Sequence, residues 1–139
     1  MALLLDTNIL IYFFKNAGAV RTHMAQCKDV DIKLCTPVLW ELMTGAFKAQ
    51  DPRSQLARLE MVKTRFDVLP FDLAAAEQAA KVRAQLEAQG TPIGPVDTLI
   101  AGIALSRGLT VVTRTPRDFG RVAGLHLVSS DACTPCRHG

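Results

Sequence analysis

The chain has 139 residues, sixteen Lys and Arg against thirteen Asp and Glu, and a formal charge of +3. With 49% apolar residues it has enough to bury a core, which excludes a disordered chain, and its length fits one compact domain. No apolar run approaches the roughly 18 residues that cross a bilayer, so the reading is a single domain outside the membrane.

Ala2 to Leu5 is a continuous apolar run, the pattern of a strand buried on both faces. Asp6-Thr7-Asn8 ends it with cap-forming residues, and Ile9 to Phe14 continues as an apolar helix. The start of the chain lacks the basic n-region and cleavage site of a secretory leader, so the cytoplasm is the expected compartment. Lys33 to Cys35 reads as a second strand. Thr36-Pro37 opens a helix to Lys48, with Thr36 as cap and Pro37 in the first turn. A further helix starts at Asp51-Pro52, with Leu56, Leu59, Val62 and Phe66 at helical spacing.

Asp67 to Pro70 reads as a short strand, and Asp72 to Gln89 as an Ala-rich helix closed by Gly90. A rigid loop, Thr91-Pro92-Ile93-Gly94-Pro95, leads to a helix from Val96 to Arg107 closed by Gly108. Leu109 to Thr113 is a β-branched strand, followed by a basic turn and a last strand at Leu125 to Val128. The expected domain is 1–129, with 130–139 as a flexible tail. Alternating strands and helices predict a three-layer α/β fold around a mainly parallel sheet. The irregular spacing of Cys27, Cys35, Cys133 and Cys136 predicts no disulfide framework. A zinc site at Cys133, Cys136 and His138 lacks a fourth ligand. His23, His126 and His138 form no recognisable catalytic triad.

Ligands of parallel sheets gather at the carboxyl ends of strands, where Asp6 stands. Taken singly the acids have ordinary explanations: Asp6 as a helix cap, Asp97 in a first turn, Asp118 in a turn, and Glu41 as a solvated residue off its helix's apolar stripe. Together they point elsewhere, because Asp6, Asp97 and Asp118 are all placed toward one sheet edge. Carboxylates converging there repel one another unless a hard cation such as Mg²⁺ or Mn²⁺ joins them. The chemistry such a site suits is phosphodiester hydrolysis by metal-activated water.

Three segments, LLLDTNILIYFFK, TPVLWELMTGAFKA and GTPIGPVDTLIAGIALSRGLTVVTRTPRDFGRVAGLHL, resemble the VapC-type toxins of the PIN-domain ribonuclease family. The resemblance runs in order from Leu3 to Val128. It implies a Mg²⁺- or Mn²⁺-dependent endoribonuclease, the toxin of a toxin–antitoxin pair, that stops translation and growth by cutting RNA, with tRNA favoured. By the same resemblance Asp6, Glu41, Asp97 and Asp118 are the catalytic and metal-ligating positions. Thr7, Asn8 and Thr113 are the polar residues that orient them. It also implies a VapB-type antitoxin, a homodimer and larger toxin–antitoxin assemblies. The antitoxin is expected on the helices opening at Pro37 and Asp51, with Leu56, Leu59 and Val62 as groove residues or core. Arg114, Arg117, Arg121 and Lys15 are candidate phosphate contacts. Where many relatives carry two asparagines after the strand threonine, this chain has Arg114-Thr115, which leaves Asp118 as the acid of that turn. Two other readings compete: an aspartate-nucleophile phosphohydrolase, which normally has a second Asp where Asn8 stands, and a catalytically silent binding module.

Overall fold

The computed structural model describes residues 2–15 and 27–129. Five parallel strands form one sheet: β1 (Leu3–Leu5), β2 (Ile32–Cys35), β3 (Asp67–Leu69), β4 (Thr110–Thr113) and β5 (His126–Ser129), in the order β3-β2-β1-β4-β5. β1 is central, which explains its uninterrupted leucines: all three are buried from both faces. The edge strands β3 and β5 have no fully buried residue, and Lys33 ties β3 to β2 through Asp67 at 2.7 Å.

Six helices are described around the sheet: α1 (Thr7–Phe14), α2 (Thr36–Phe47), α3 (Pro52–Arg65), α4 (Leu73–Ala88), α5 (Pro95–Arg107) and α6 (Pro116–Phe119). The predicted elements occur in order, with shifts of a residue or two at their ends. Thr36 is not the cap of α2. Cys35 holds that position, and the Thr36 hydroxyl instead accepts the Phe71 N–H. Short helix α6 replaces the expected open turn, because Pro116 supplies a first-turn φ and leaves no donor unpaired.

Leu59 and Val62 face the core at 3% and 4% exposure, so packing rather than docking is their role; Leu56 is packed partly against the same core. The irregular cysteine spacing predicts no disulfide framework, but Cys27 is disulfide-bonded, while Cys35 is buried and free. His23, Cys133, Cys136, His138 and the expected tail lie outside the described residues. No helix among the described residues is long and apolar enough to cross a membrane.

The chain builds β2 and β3 on one side of β1, then crosses to build β4 and β5 on the other. That reversal leaves a crevice at the carboxyl ends of β1 and β4, the usual ligand position in such sheets.

Candidate active site

Asp6 is the first residue beyond β1. Its backbone N–H donates to the Val112 carbonyl at 3.2 Å, extending the sheet pairing, and its carboxylate Oδ1 accepts the Ile9 N–H at 2.8 Å. The cap role is therefore real, but a cap alone does not require burial, and Asp6 is only 3% exposed. The Thr113 hydroxyl, at the end of β4, also hydrogen-bonds its carboxylate. Burial nevertheless pushes the Asp6 carboxyl above its ordinary range; the Thr113 and Ile9 hydrogen bonds oppose the rise and the Glu41 charge adds to it.

Asp97 projects from the first turn of α5. Its carboxyl is pushed up to about 6, first by burial and then by the charges of Asp6, Asp118 and Glu41. A helix N-terminus normally favours a carboxylate, so the rise measures how strongly its surroundings oppose ionisation.

Glu41, off the apolar stripe of α2, is half-buried rather than solvated. Its Oε1 accepts the Thr7 hydroxyl at 2.5 Å, which links α1 to α2 and fixes the carboxylate over the crevice. Helical periodicity misplaces it because the face opposite the stripe looks onto another helix start, not onto water.

Asp6, Thr7, Asn8, Glu41 and Asp97 line one open cleft of about 610 Å³, with Gly94, Pro95 and Val96 along one wall. Gln55 of α3 and Thr115 also line it, and neither is among the residues expected from sequence. Gln55 had no signal beyond its place in the first turn of α3. Thr115 had one, its place two residues past the strand-ending Thr113, and its N–H donates to the Thr113 hydroxyl oxygen at 3.0 Å.

Asp118 stands apart from this cleft. It lines a neighbouring depression with Thr115, Pro116, Arg117 and Arg121, though its charge still reaches Asp97. Arg121 lies 3.7 Å from Asp118 and also donates to the Pro92 carbonyl at 3.4 Å. Arg114 stacks over the Tyr12 ring at 4.2 Å, Arg117 is exposed, and Lys15 lines a separate small cavity.

The donors facing the cleft are oxygens, the chemistry of a hard divalent cation. Among the described residues, no three His, Cys, Asp or Glu side chains are arranged to hold a metal ion by themselves. The set fits an ion that takes one or two carboxylates and keeps its waters, as Mg²⁺ does, better than one needing a closed cage.

Residues 3–125 match the PIN domain family. A relative from Shigella flexneri, a tRNA(fMet)-specific endonuclease VapC, is 43% identical over 122 residues, covering 88% of this chain and 92% of that protein. The chain belongs to the PIN-domain family, as a VapC-type toxin ribonuclease. A Salmonella typhimurium protein with the same description is 38% identical over 124 residues, or 89% of this chain and 94% of its own. The crystal structure of DNA-bound VapBC from Salmonella typhimurium superposes with a TM-score of 0.87 at 37% identity, covering 94% of this chain and 98% of that one. This PIN domain is thus a nuclease and a toxin of a toxin–antitoxin system, and the aspartate-nucleophile phosphohydrolase reading gives way to that membership.

Proposed function

We propose that this PIN domain is a Mg²⁺-dependent endoribonuclease, with Mn²⁺ able to substitute, that cleaves tRNA and so stops translation and growth. The observation that carries the reading is the cleft itself: three carboxylates share it, and the surroundings of two oppose their ionisation. A protein gains nothing in stability from that arrangement, and a cation relieves it. The names of the relatives make tRNA(fMet) the first substrate to try.

Asp6 and Asp97 would hold the ion, with Glu41 reaching it directly or through water, and Asp118 at the margin. When bound, the ion would polarise the scissile phosphate and acidify water. Thr113 and the Ile9 N–H keep the Asp6 carboxylate in one orientation. Thr7 occupies Glu41 Oε1, which leaves Oε2 to take the proton of the attacking water. Asn8 and Thr115 offer polar atoms to the sugar and phosphate beside the break. Arg114, Arg117, Arg121 and Lys15 are the phosphate contacts, with Arg121 the weakest because Asp118 and Pro92 already engage it.

The antitoxin is expected across α2 and α3, where Trp40, Phe47 and Met61 are each more than half exposed. Two copies are expected to pair so that their acidic clefts open onto one groove, with larger toxin–antitoxin assemblies built from such pairs. The domain limits 1–129 and a cytoplasmic setting, where tRNA is found, complete the reading.

Expression of the chain and of its Asp6→Asn form, with sequencing of 5′ RNA ends, tests it. Growth arrest with 5′-phosphate ends in tRNA, both lost in the variant, is the expected result. Arrest that persists in the variant, or 2′,3′-cyclic phosphate ends, overturns it.

A further inference from the structure

A second cavity adjoins the acidic cleft. It measures about 130 Å³ and is lined by Ile11, Phe14, Lys15, Leu42, Gln55, Arg58 and Leu59. Ile11, Leu42 and Gln55 also line the cleft, so the two spaces share a wall. Their electrostatics are opposite. The cleft gathers carboxylates, whereas the smaller cavity has no acidic residue among the described residues of its lining and carries two exposed cations, Lys15 and Arg58. Neither cation forms an ion pair among the described residues, whereas Arg65 of α3 and Arg83 of α4 both do. Lys15 also sits at the C-terminus of α1 and is placed there by its backbone N–H, which donates to the Ile11 carbonyl at 3.0 Å.

We infer that this cavity seats the base of one nucleotide flanking the scissile phosphate, against Phe14, with that nucleotide's phosphate at the surface between Lys15 and Arg58. The inference rests on the RNA-cleaving reading above and extends it to a part of the surface that the carboxylates do not reach. Three features favour a nucleotide. A strand held by one phosphate in the cleft must leave it along a wall, and Gln55 is the polar group on the wall shared with the cations. An apolar floor with an aromatic ring suits a base face, which stacks without regard to sequence. Two cations with no acid between them suit a phosphate, whose contacts position a strand. A helix of a partner protein needs a longer apolar groove than this space provides.

The test uses the full chain in EDTA, where binding is read without cleavage, and a fluorescein-labelled tRNA(fMet) transcript in an anisotropy titration at several salt concentrations. Lys15→Gln and Arg58→Gln are each expected to weaken binding several-fold, about tenfold at most. Each is also expected to lower the slope of log K against log salt by about 0.7 for every phosphate no longer neutralised. Arg83→Gln, an equal loss of charge on the exposed face of α4, is expected to change neither. Trimming the RNA on one side of its cleavage site is expected to abolish the effect of both variants together. Unchanged affinity and slope in both, with wild-type binding intact, overturns the inference. Loss of antitoxin binding alone also overturns it and assigns the cavity to the protein partner. Wild-type protein that neither binds nor cleaves tRNA refutes the RNA reading itself, a result distinguishable from the others because it does not depend on the variants.

Discussion

The first turn and the middle of α5 obey opposite rules. Its first turn carries Asp97 into a cleft that Asp6 and Glu41 also line, where the charge of Asp118 reaches it and burial resists its own charge. Its middle, from Ile100 to Ala104, is buried throughout and packs against α4 so closely that a Cβ on Gly102 would stand 2.6 Å from the Ala75 carbonyl oxygen and 2.7 Å from Ala79 Cβ. The seam is built for stability and the cleft against it. One helix can do both because the packed middle holds the strained end in place, which is how folds generally retain unfavourable functional groups.

The contrast breaks most completely at Asp97. Asp97→Asn removes a proposed cation ligand and is expected to lower the RNA cleavage rate about a thousandfold. The same change relieves charge repulsion, so the metal-free variant should melt above wild type at neutral pH. A variant both inactive and less stable would show that Asp97 is there for structure. In the seam, Gly102→Ala places a methyl against backbone that cannot move aside without displacing α4. It is expected to cost about 2–3 kcal/mol, visible as a lower midpoint in denaturant. No loss would mean that the seam is looser than its distances imply.

Protons sharpen the same comparison. Folding raises the Asp97 carboxyl from 3.8 to about 6, so the folded protein holds a proton that the unfolded chain has released. The stability tied to that proton is fully present below about pH 4 and lost as pH rises through 6; with partial exposure it amounts to about 2 kcal/mol. Thermal melts of the metal-free protein should therefore fall across this window, and Asp97→Asn should flatten the fall. Added Mg²⁺ should raise the melting temperature at pH 8 and scarcely at pH 4.5, since the ion needs the ionised carboxylates. The smallest effect is expected at Thr7. Thr7→Val frees Glu41 and should slow cleavage about tenfold with little change in stability, while Thr7→Ser should restore the rate, because only the hydroxyl is needed.

The run Leu3–Leu5, the caps at Asp51 and Asp72, and Gly108 at φ 66° show why the element order was legible: each is a local preference that packing did not override. Asp6 and Asp97 were legible by position, since one follows a buried strand and the other opens a helix. Glu41 and Gln55 were not, because what matters for them is the helix that faces them, and periodicity describes only the helix they belong to. Asp118 shows the converse case. It follows β4 in sequence, yet the turn of α6 sets it in a neighbouring depression.

The sequence by itself determined the strands, the helices between them, the family they spell and the acids at the strand ends, because these follow from short-range sterics, hydrophobic periodicity and motif spacing. Only the tertiary structure decided which acids share a cleft, that Thr7 grips Glu41, and that two cations without an ion pair among the described residues stand across a shared wall from the carboxylates. Those are distances between residues 34 to more than 90 positions apart, and the order of the strands sets them.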